Sequence, residues 1–201
     1  MTVGDTNFSP SPWRGRGGRG EWVEYRYRSM ARLEYPPTDS PEAQQMVDEI
    51  RRQRGGRFPH LFHMQLYNPA IADGWLRLGT AVRFKSELDG ATRELAICLV
   101  ARLTGADYEW QAHYRAARDE GVPEAQLQGI VNWRSGDYDD KQRAVLALAE
   151  GLTRKADVDD ATFQAAQQHL TPRQMVELVT AVAYYNMVAR FLIGLRIDLE
   201  S

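Results

Sequence analysis

Apolar residues recur every three or four positions along most of the chain, which is the spacing of one face of an α-helix. In the segment 69–83, for example, Ile71, Trp75 and Val82 share a face. The sequence contains no convincing run of alternating β-branched residues, which would indicate strands. The pattern therefore predicts an all-α fold.

Residues that favour helix ends divide this pattern into segments. Ser40 followed by Pro41 is typical of a helix start, Asp89 of another start, and Gly121 of a helix end. The predicted helices span 40–54, 69–83, 89–104, 107–120, 123–133, 139–153, 159–169 and 172–197. We therefore expect a single-domain bundle of seven or eight helices.

The first 39 residues lack this periodicity. The stretch 7–20 reads NFSPSPWRGRGGRG, a mixture that cannot bury enough apolar surface to fold by itself. We divide the chain into an irregular N-terminal arm, 1–39, and a helical domain, 40–201. Large aromatic residues are unusual in a flexible tail, so we expect those of the arm to pack on a neighbouring subunit: Trp13, Trp22, Tyr25, Tyr27 and Tyr35.

Composition narrows the classes of function. The 25 Lys and Arg residues nearly balance the 27 Asp and Glu residues, so nucleic acid is not expected as a partner. The single cysteine, Cys98, excludes an intrachain disulfide and a cysteine-rich metal site, and His60 and His63 lack a third ligand nearby, so no metal is expected. The longest unbroken apolar run, 95–101, is too short to span a membrane, and no secretion signal is visible. We expect a cytoplasmic protein that does not bind membranes.

Candidate chemistry lies in 88–121, where two predicted helices are joined by a turn of about three residues and must run antiparallel, side by side. Glu94 lies about 15 Å before the turn and His113 about 10 Å after it, at 1.5 Å per residue, so the two side chains reach similar heights. Glu109 precedes His113 by four residues and shares its face. Two carboxylates and an imidazole can therefore converge in one groove, which suits general acid/base catalysis.

The spacing alone leaves a second interpretation open, in which Glu109 and His113 form an ordinary solvated pair on an exposed helix face. The neighbours of Glu94 favour the first interpretation. Glu94 opens the apolar run 95–101, and a buried charge needs a partner or a role.

The same stretch resembles the carboxymuconolactone decarboxylase family, which shares its fold with the alkylhydroperoxidase-D-like proteins. The matching residues are Arg93-Glu94-Leu95, Tyr108-Glu109-Trp110, His113, Ala116-Ala117-Arg118 and Gly121, with further similarity across 58–200. Redox members of the superfamily carry a CxxC pair where this chain has Ala106 and Glu109. The resemblance therefore implies a decarboxylase-like protein and not a thiol peroxidase.

The namesake reaction of that family removes CO2 from a γ-lactone that bears a carboxylate. The resemblance implies a cofactor-free acid/base enzyme acting on a small carboxylated or carbonyl-bearing molecule. His113 would donate the proton, and Glu94 would orient the His113 imidazole. Glu109 would either share this orienting role or destabilise the substrate carboxylate electrostatically. The same groups suit isomerisation, lactone opening or related lyase chemistry. The alternative is a non-catalytic oligomeric protein that binds a ligand or scaffolds a partner.

Four further residues are candidate substrate-binding groups: His63, Trp110, Asn186 and Arg190. Asn186 lies among apolar and aromatic residues, so its amide needs a partner within the helix or a ligand. An arginine in the cavity would favour an acidic substrate, and Arg93, Arg118 and Arg190 lie nearest the matching motifs.

The last predicted helix is apolar on most of its faces, more than one helix of a bundle normally buries alone. This feature indicates self-association, and the family resemblance implies a trimer or a hexamer.

Overall fold

The computed structural model describes residues 30–200 of the 201-residue chain. Every regular element in that range is a helix, so the predicted all-α class is confirmed. The α-helices are Pro41–Gln53 (α1), His60–Gln65 (α2), Pro69–Phe84 (α3), Gly90–Thr104 (α4), Asp107–Asp119 (α5), Glu124–Gln128 (α6), Asp140–Lys155 (α7), Asp160–Gln167 (α8) and Pro172–Leu195 (α9). A 3-10 helix, Ile130–Ser135, lies between α6 and α7.

Two short elements make the number of helices in residues 30–200 larger than the seven or eight expected. The six-residue helix α2 follows Pro59, in a segment where no helix is predicted. The predicted helix 123–133 is divided at Gly129 into α6 and the 3-10 helix, and Asn132 has non-helical backbone angles. Both differences concern elements that are shorter than two turns.

Helix α4 runs through the centre of the molecule. All of its residues from Thr92 to Ala101 are buried, because α5, α7 and α9 surround it. The Asp89 side chain caps its first turn by accepting a hydrogen bond of 2.8 Å from the Thr92 backbone N–H. Gly105, with a φ of 76°, ends the helix in the left-handed conformation, and the chain returns along α4 as α5. This hairpin positions the candidate site.

Helices α1, α2 and α3 form a smaller apolar cluster beside the main core, around Ile50, Phe62 and Leu76. Trp75 packs against both clusters. Its ring also lies 5.2 Å, centroid to centroid, from Phe191 on α9. This contact fixes the first three helices to one side of α9.

Helix α9 is, within residues 30–200, the one helix that is long and apolar enough to cross a membrane by length and composition alone. In this fold it packs against α3, α4, α5, α7 and α8, and ten of its residues are buried. Its apolar composition therefore serves the core of the bundle.

Residues 30–39 of the predicted arm lie against the chain's own C-terminal segment. The Arg32 backbone N–H donates to the Leu195 carbonyl at 2.8 Å, and the Tyr35 ring stacks on His63 with centroids 4.9 Å apart. The Tyr35 ring thus packs within its own chain, and packing of the arm on a neighbouring subunit stays a prediction. The other aromatic residues of the arm lie outside the described residues: Trp13, Trp22, Tyr25 and Tyr27.

Candidate active site

Glu94 and His113 form a hydrogen bond inside the α4–α5 hairpin. The Nδ1 atom of His113 lies 2.6 Å from the Oε2 atom of Glu94. Only 9% of the His113 side chain and 1% of the Glu94 side chain are exposed. The structure therefore places the two residues together in the interior, as the hairpin spacing predicts, and not on an exposed helix face.

The neighbours of Glu94 favour its ionised form. Burial alone raises the pKa of this carboxyl, but His113, together with Arg83 and Arg93, outweighs burial and leaves the pKa below its ordinary value. The Nε atom of Arg93 lies 3.3 Å from Oε1 of Glu94. The ionised carboxylate accepts the Nδ1–H of His113, which leaves Nε2 as the ring nitrogen that can exchange a proton.

Glu109 is the opposite case. It lies one turn before His113 on α5 and is 1% exposed, and neither of its carboxyl oxygens has a hydrogen-bond partner within residues 30–200. Burial raises the pKa of this carboxyl well above its ordinary value, so it keeps its proton to a higher pH than an exposed glutamate. Burying a polar group without a partner costs free energy. A ligand that forms a hydrogen bond with the Glu109 carboxyl would offset that cost.

Tyr185 and Cys98 lie near both carboxyl groups. The Tyr185 ring stands edge-on to the His113 imidazole, with centroids 4.5 Å apart. Burial raises the pKa of Tyr185 and of Cys98, and the charge of Glu94 raises both pKa values further. A thiol with a raised pKa keeps its proton and is a poor nucleophile, so Cys98 is a core residue.

Residues 69–151 match the carboxymuconolactone decarboxylase family, and the matched segment contains Glu94, Glu109 and His113. This segment of the chain is therefore similar to that family. The resemblance drawn from the sequence is thus confirmed.

Several solved structures share the family's fold. The "uncharacterized peroxidase-related protein" from Silicibacter sp. TM1040 superposes with a TM-score of 0.75 and 20% identity, over 85% of this chain and 92% of that one. The "alkylhydroperoxidase AhpD core" from Ralstonia eutropha JMP134 gives 0.74 and 19%, over 85% and 93%. The debrominase Bmp8 in complex with 2,3,4-tribromopyrrole gives 0.72 and 18%, over 86% and 94%. At these identities the likeness establishes the fold. No curated protein matches the sequence significantly.

Two of the four substrate-binding candidates make their contacts away from His113. His63 lies on α2, where its Nε2 atom is 2.9 Å from the carbonyl oxygen of Pro36. The Trp110 ring packs on Tyr114, with centroids 5.1 Å apart. The structure does not gather these two residues at the Glu94–His113 bond.

The other two candidates, Asn186 and Arg190, bind each other. Arg190 Nη1 donates to the Oδ1 atom of Asn186 at 2.9 Å and to its carbonyl oxygen at 2.7 Å. The Asn186 amide donates to the Val182 carbonyl and to Thr153 Oγ1, both at 3.0 Å. The amide is therefore satisfied within the protein, which is the first of the two alternatives that the sequence leaves open. A substrate-binding role for the four candidates stays a prediction.

Arg83 is a site residue that the sequence analysis missed. Of the arginines considered there, Arg118 pairs with Glu124 at 2.6 Å and lies outside the site. Arg83, in the last turn of α3, lies close enough to Glu94 to help lower its pKa, and close enough to Tyr185 to offset part of the rise in pKa that burial causes there. Only the packing of α3 against α9 brings it there, and no local motif indicates that packing.

The candidate site is nearly closed in a single chain, since its acid and base groups are almost fully buried. Surface grooves are found elsewhere, one beside Tyr138 and one between Phe163 and Val176. Within residues 30–200, no group of three or more His, Cys, Asp or Glu side chains is placed to hold a metal ion.

Proposed function

We propose that this protein is an acid/base enzyme that acts on a small carboxylated or carbonyl-bearing molecule by decarboxylase-like chemistry. The observation that carries the proposal is the buried Glu94–His113 hydrogen bond with the unpartnered carboxyl of Glu109 one turn away. An ionised carboxylate, an imidazole and a neutral carboxyl gathered in one interior are costly to fold, and such groups cluster at functional sites. The match of residues 69–151 to the carboxymuconolactone decarboxylase family supports a catalytic role.

In the proposed reaction, the bond between the substrate's carboxylate carbon and its neighbour breaks and CO2 leaves. The electron pair passes into the adjoining unsaturated carbonyl system as a dienolate. Protonated His113, held by Glu94, then gives the proton on Nε2 to carbon, and solvent restores it. The balance is one proton consumed and one CO2 released, without oxidation or reduction.

Glu109 enters this reaction as a neutral acid. Because burial raises its pKa, its carboxyl can donate a hydrogen bond to the oxygen on which negative charge develops. This role differs from electrostatic destabilisation of the substrate carboxylate, which would require Glu109 to be charged. It also differs from sharing the orientation of His113 with Glu94, the other role that the family resemblance implies, because neither Glu109 oxygen has a hydrogen-bond partner within residues 30–200.

The same three groups suit isomerisation or lactone opening, in which a proton moves next to a carbonyl without loss of CO2. A debrominase of this fold has been solved with tribromopyrrole, which supports a small ring compound as the substrate.

The proposal is tested by incubating the wild-type protein with a panel of γ-lactone carboxylates and unsaturated keto acids in D2O, followed by NMR. At least one compound should be turned over, with deuterium incorporated at carbon. His113→Gln should lower kcat by about 100-fold or more. His169→Gln, which changes an exposed histidine, is the matched control and should leave kcat unchanged.

Equal turnover by His113→Gln and wild type would overturn the proposal. Failure of the wild-type protein to convert any member of the panel would favour the non-catalytic ligand-binding alternative. Circular dichroism of both variants separates loss of activity from loss of the fold.

A further inference from the structure

Two arginine side chains lie around one aromatic ring at the junction of α1 and α3. The guanidinium carbon of Arg54 is 5.9 Å from the centroid of Phe84, and that of Arg83 is 5.0 Å from the same centroid. Burial lowers the pKa of Arg54, and the charge of Arg83 lowers it further. The two positive charges therefore repel each other in a partly buried place.

Neither guanidinium forms an ion pair with a carboxylate of residues 30–200. The Nε atom of Arg83 is buried and has no hydrogen-bond partner there. Glu94 is near Arg83, but it is already bound by His113 and Arg93. The pair thus leaves positive charge and donor capacity unsatisfied.

The hydroxyl of Tyr184 lies over Gly79 and donates to the Trp75 carbonyl at 3.3 Å. A Cβ atom at Gly79 would lie 2.6 Å from this hydroxyl and 3.4 Å from Arg54 Nη2. The absence of a side chain at Gly79 therefore lets the hydroxyl and the guanidinium converge. Arg54 is fixed from the other side, where its Nη1 donates to Thr80 Oγ1 at 3.0 Å.

The cluster connects solvent with the candidate active site. On the outside, Phe84 is 60% exposed. On the inside, the charge of Arg83 helps to lower the pKa of Glu94. It also offsets part of the rise that burial causes in the pKa values of Tyr184 and Tyr185. An anion bound to both arginines would therefore lie within electrostatic range of the Glu94–His113 bond.

We propose that Arg54 and Arg83, beside the Tyr184 hydroxyl, form a subsite for the carboxylate of an anionic substrate. Guanidinium groups match a carboxylate in charge and in planar geometry, and an anion here removes the repulsion between the two arginines. The inference rests on the proposed function, whose substrate it assigns to the acids.

The anchored carboxylate is one that the reaction leaves in place. Arginine stabilises a carboxylate and opposes its conversion to neutral CO2, so the group that is lost must lie elsewhere. A substrate that is decarboxylated therefore carries a second carboxylate. A substrate that is isomerised needs only one carboxylate beside its carbonyl.

The test compares levulinate, a γ-keto carboxylate, with its methyl ester and with inorganic phosphate as a simple anion. Dissociation constants are measured by ligand-observed NMR with wild type, Arg54→Gln and Arg83→Gln. Arg77→Gln is the matched control, because Arg77 lies on the same helix as Arg83 but is exposed and pairs with Asp73 at 2.5 Å. Wild type and the control should bind levulinate about tenfold more tightly than the ester. Arg54→Gln and Arg83→Gln should lose that preference, with the ester unaffected.

Any one of three results would overturn the subsite. The wild type could bind the acid and the ester equally well, or both variants could keep the preference for the acid. The third result is that the wild type binds neither levulinate nor phosphate. Thermal melts check the fold of each variant, including Arg83→Gln. If that variant is unstable, Arg83→Lys gives the second reading, since it keeps the charge and should keep part of the preference.

His113→Gln separates this inference from the proposed function. The subsite predicts that this variant still prefers levulinate to its ester, whether or not turnover is lost. Turnover without any carboxylate preference would refute the subsite alone, and a preference without turnover in any assay would refute the enzyme alone.

Discussion

Glu94 and Glu109 are both buried carboxyl groups, and their neighbours make them chemically different. Glu94 lies within hydrogen-bonding distance of His113 and Arg93. Their effect on its pKa is larger than that of burial, so the pKa is lowered. Glu109 has no hydrogen-bond partner within residues 30–200, and burial raises its pKa. The sequence indicated both residues through their spacing from His113. It could not indicate the difference, which depends on the side chains that reach each carboxyl after packing.

Replacing Glu109 with Gln should change the pH dependence of stability. The native state keeps the Glu109 proton above the ordinary value of 4.5, where the unfolded chain releases it, so this group's contribution falls as pH rises. The loss is about 1.4 kcal/mol for each pH unit up to the native pKa. Urea unfolding of Glu109→Gln should therefore show a gain over wild type that grows as pH rises above 4.5.

Asp119→Asn, at an exposed position of α5, is the control for that experiment and should parallel wild type. A Glu109→Gln variant with the same pH dependence as wild type would show that Glu109 is ionised in the native state.

Replacing Glu94 with Gln should act in the opposite direction. Because the pKa of Glu94 is lowered, its stabilising contribution is present above 4.5 and is lost as pH falls through the native pKa. Glu94→Gln should cost about 2 kcal/mol of unfolding free energy at neutral pH, with a smaller cost in acid. Glu120→Gln removes the exposed carboxylate that lies 3.6 Å from Arg93, and it should cost less than about 1 kcal/mol. Similar costs for the two variants would contradict the buried-pair interpretation.

At the scale of elements, α4 was well predicted because its signals are local. Asp89 caps its start and Gly105 ends it, and the apolar run 95–101 predicts its burial. The sequence does not indicate α2, nor the division of the predicted helix 123–133 at Gly129, because elements of five or six residues are too short to show their own periodicity. The arginines at the ends of α1 and α3 were missed because their meeting depends on how two separate helices pack.

The central place of α4 predicts a large cost for removing a side chain from it. Leu99 is fully buried in the main core, so Leu99→Ala should lower the unfolding free energy by about 2–5 kcal/mol in denaturant titrations. Val176→Ala on the exposed face of α9 should stay within about 0.5 kcal/mol of wild type. A Leu99→Ala cost as small as that of Val176→Ala would place α4 outside the core.

At the scale of the whole molecule, self-association as a trimer or hexamer stays a prediction. Part of its sequence basis has changed, since Tyr35 packs within its own chain and much of α9 is buried in the bundle. Three large apolar residues of α9 remain exposed: Val176, Met187 and Ile193.

Light scattering at low micromolar concentration should give a mass of three or six times 22.9 kDa. If α9 forms the interface, Met187→Lys should lower that mass by placing a charge in an apolar contact. A single 22.9 kDa species in the wild type would contradict self-association.

The acid/base function depends on opposite protonation of Glu94 and Glu109, which can be measured without knowing the substrate. The titration of 13C-labelled glutamate carboxyl carbons by NMR reports each group, with Glu94→Gln and Glu109→Gln used to assign the two signals. The structure predicts that Glu94 titrates below the ordinary pKa of 4.5 and that Glu109 stays protonated well above it. Two signals that titrate together near 4.5 would contradict the proposed acid/base site.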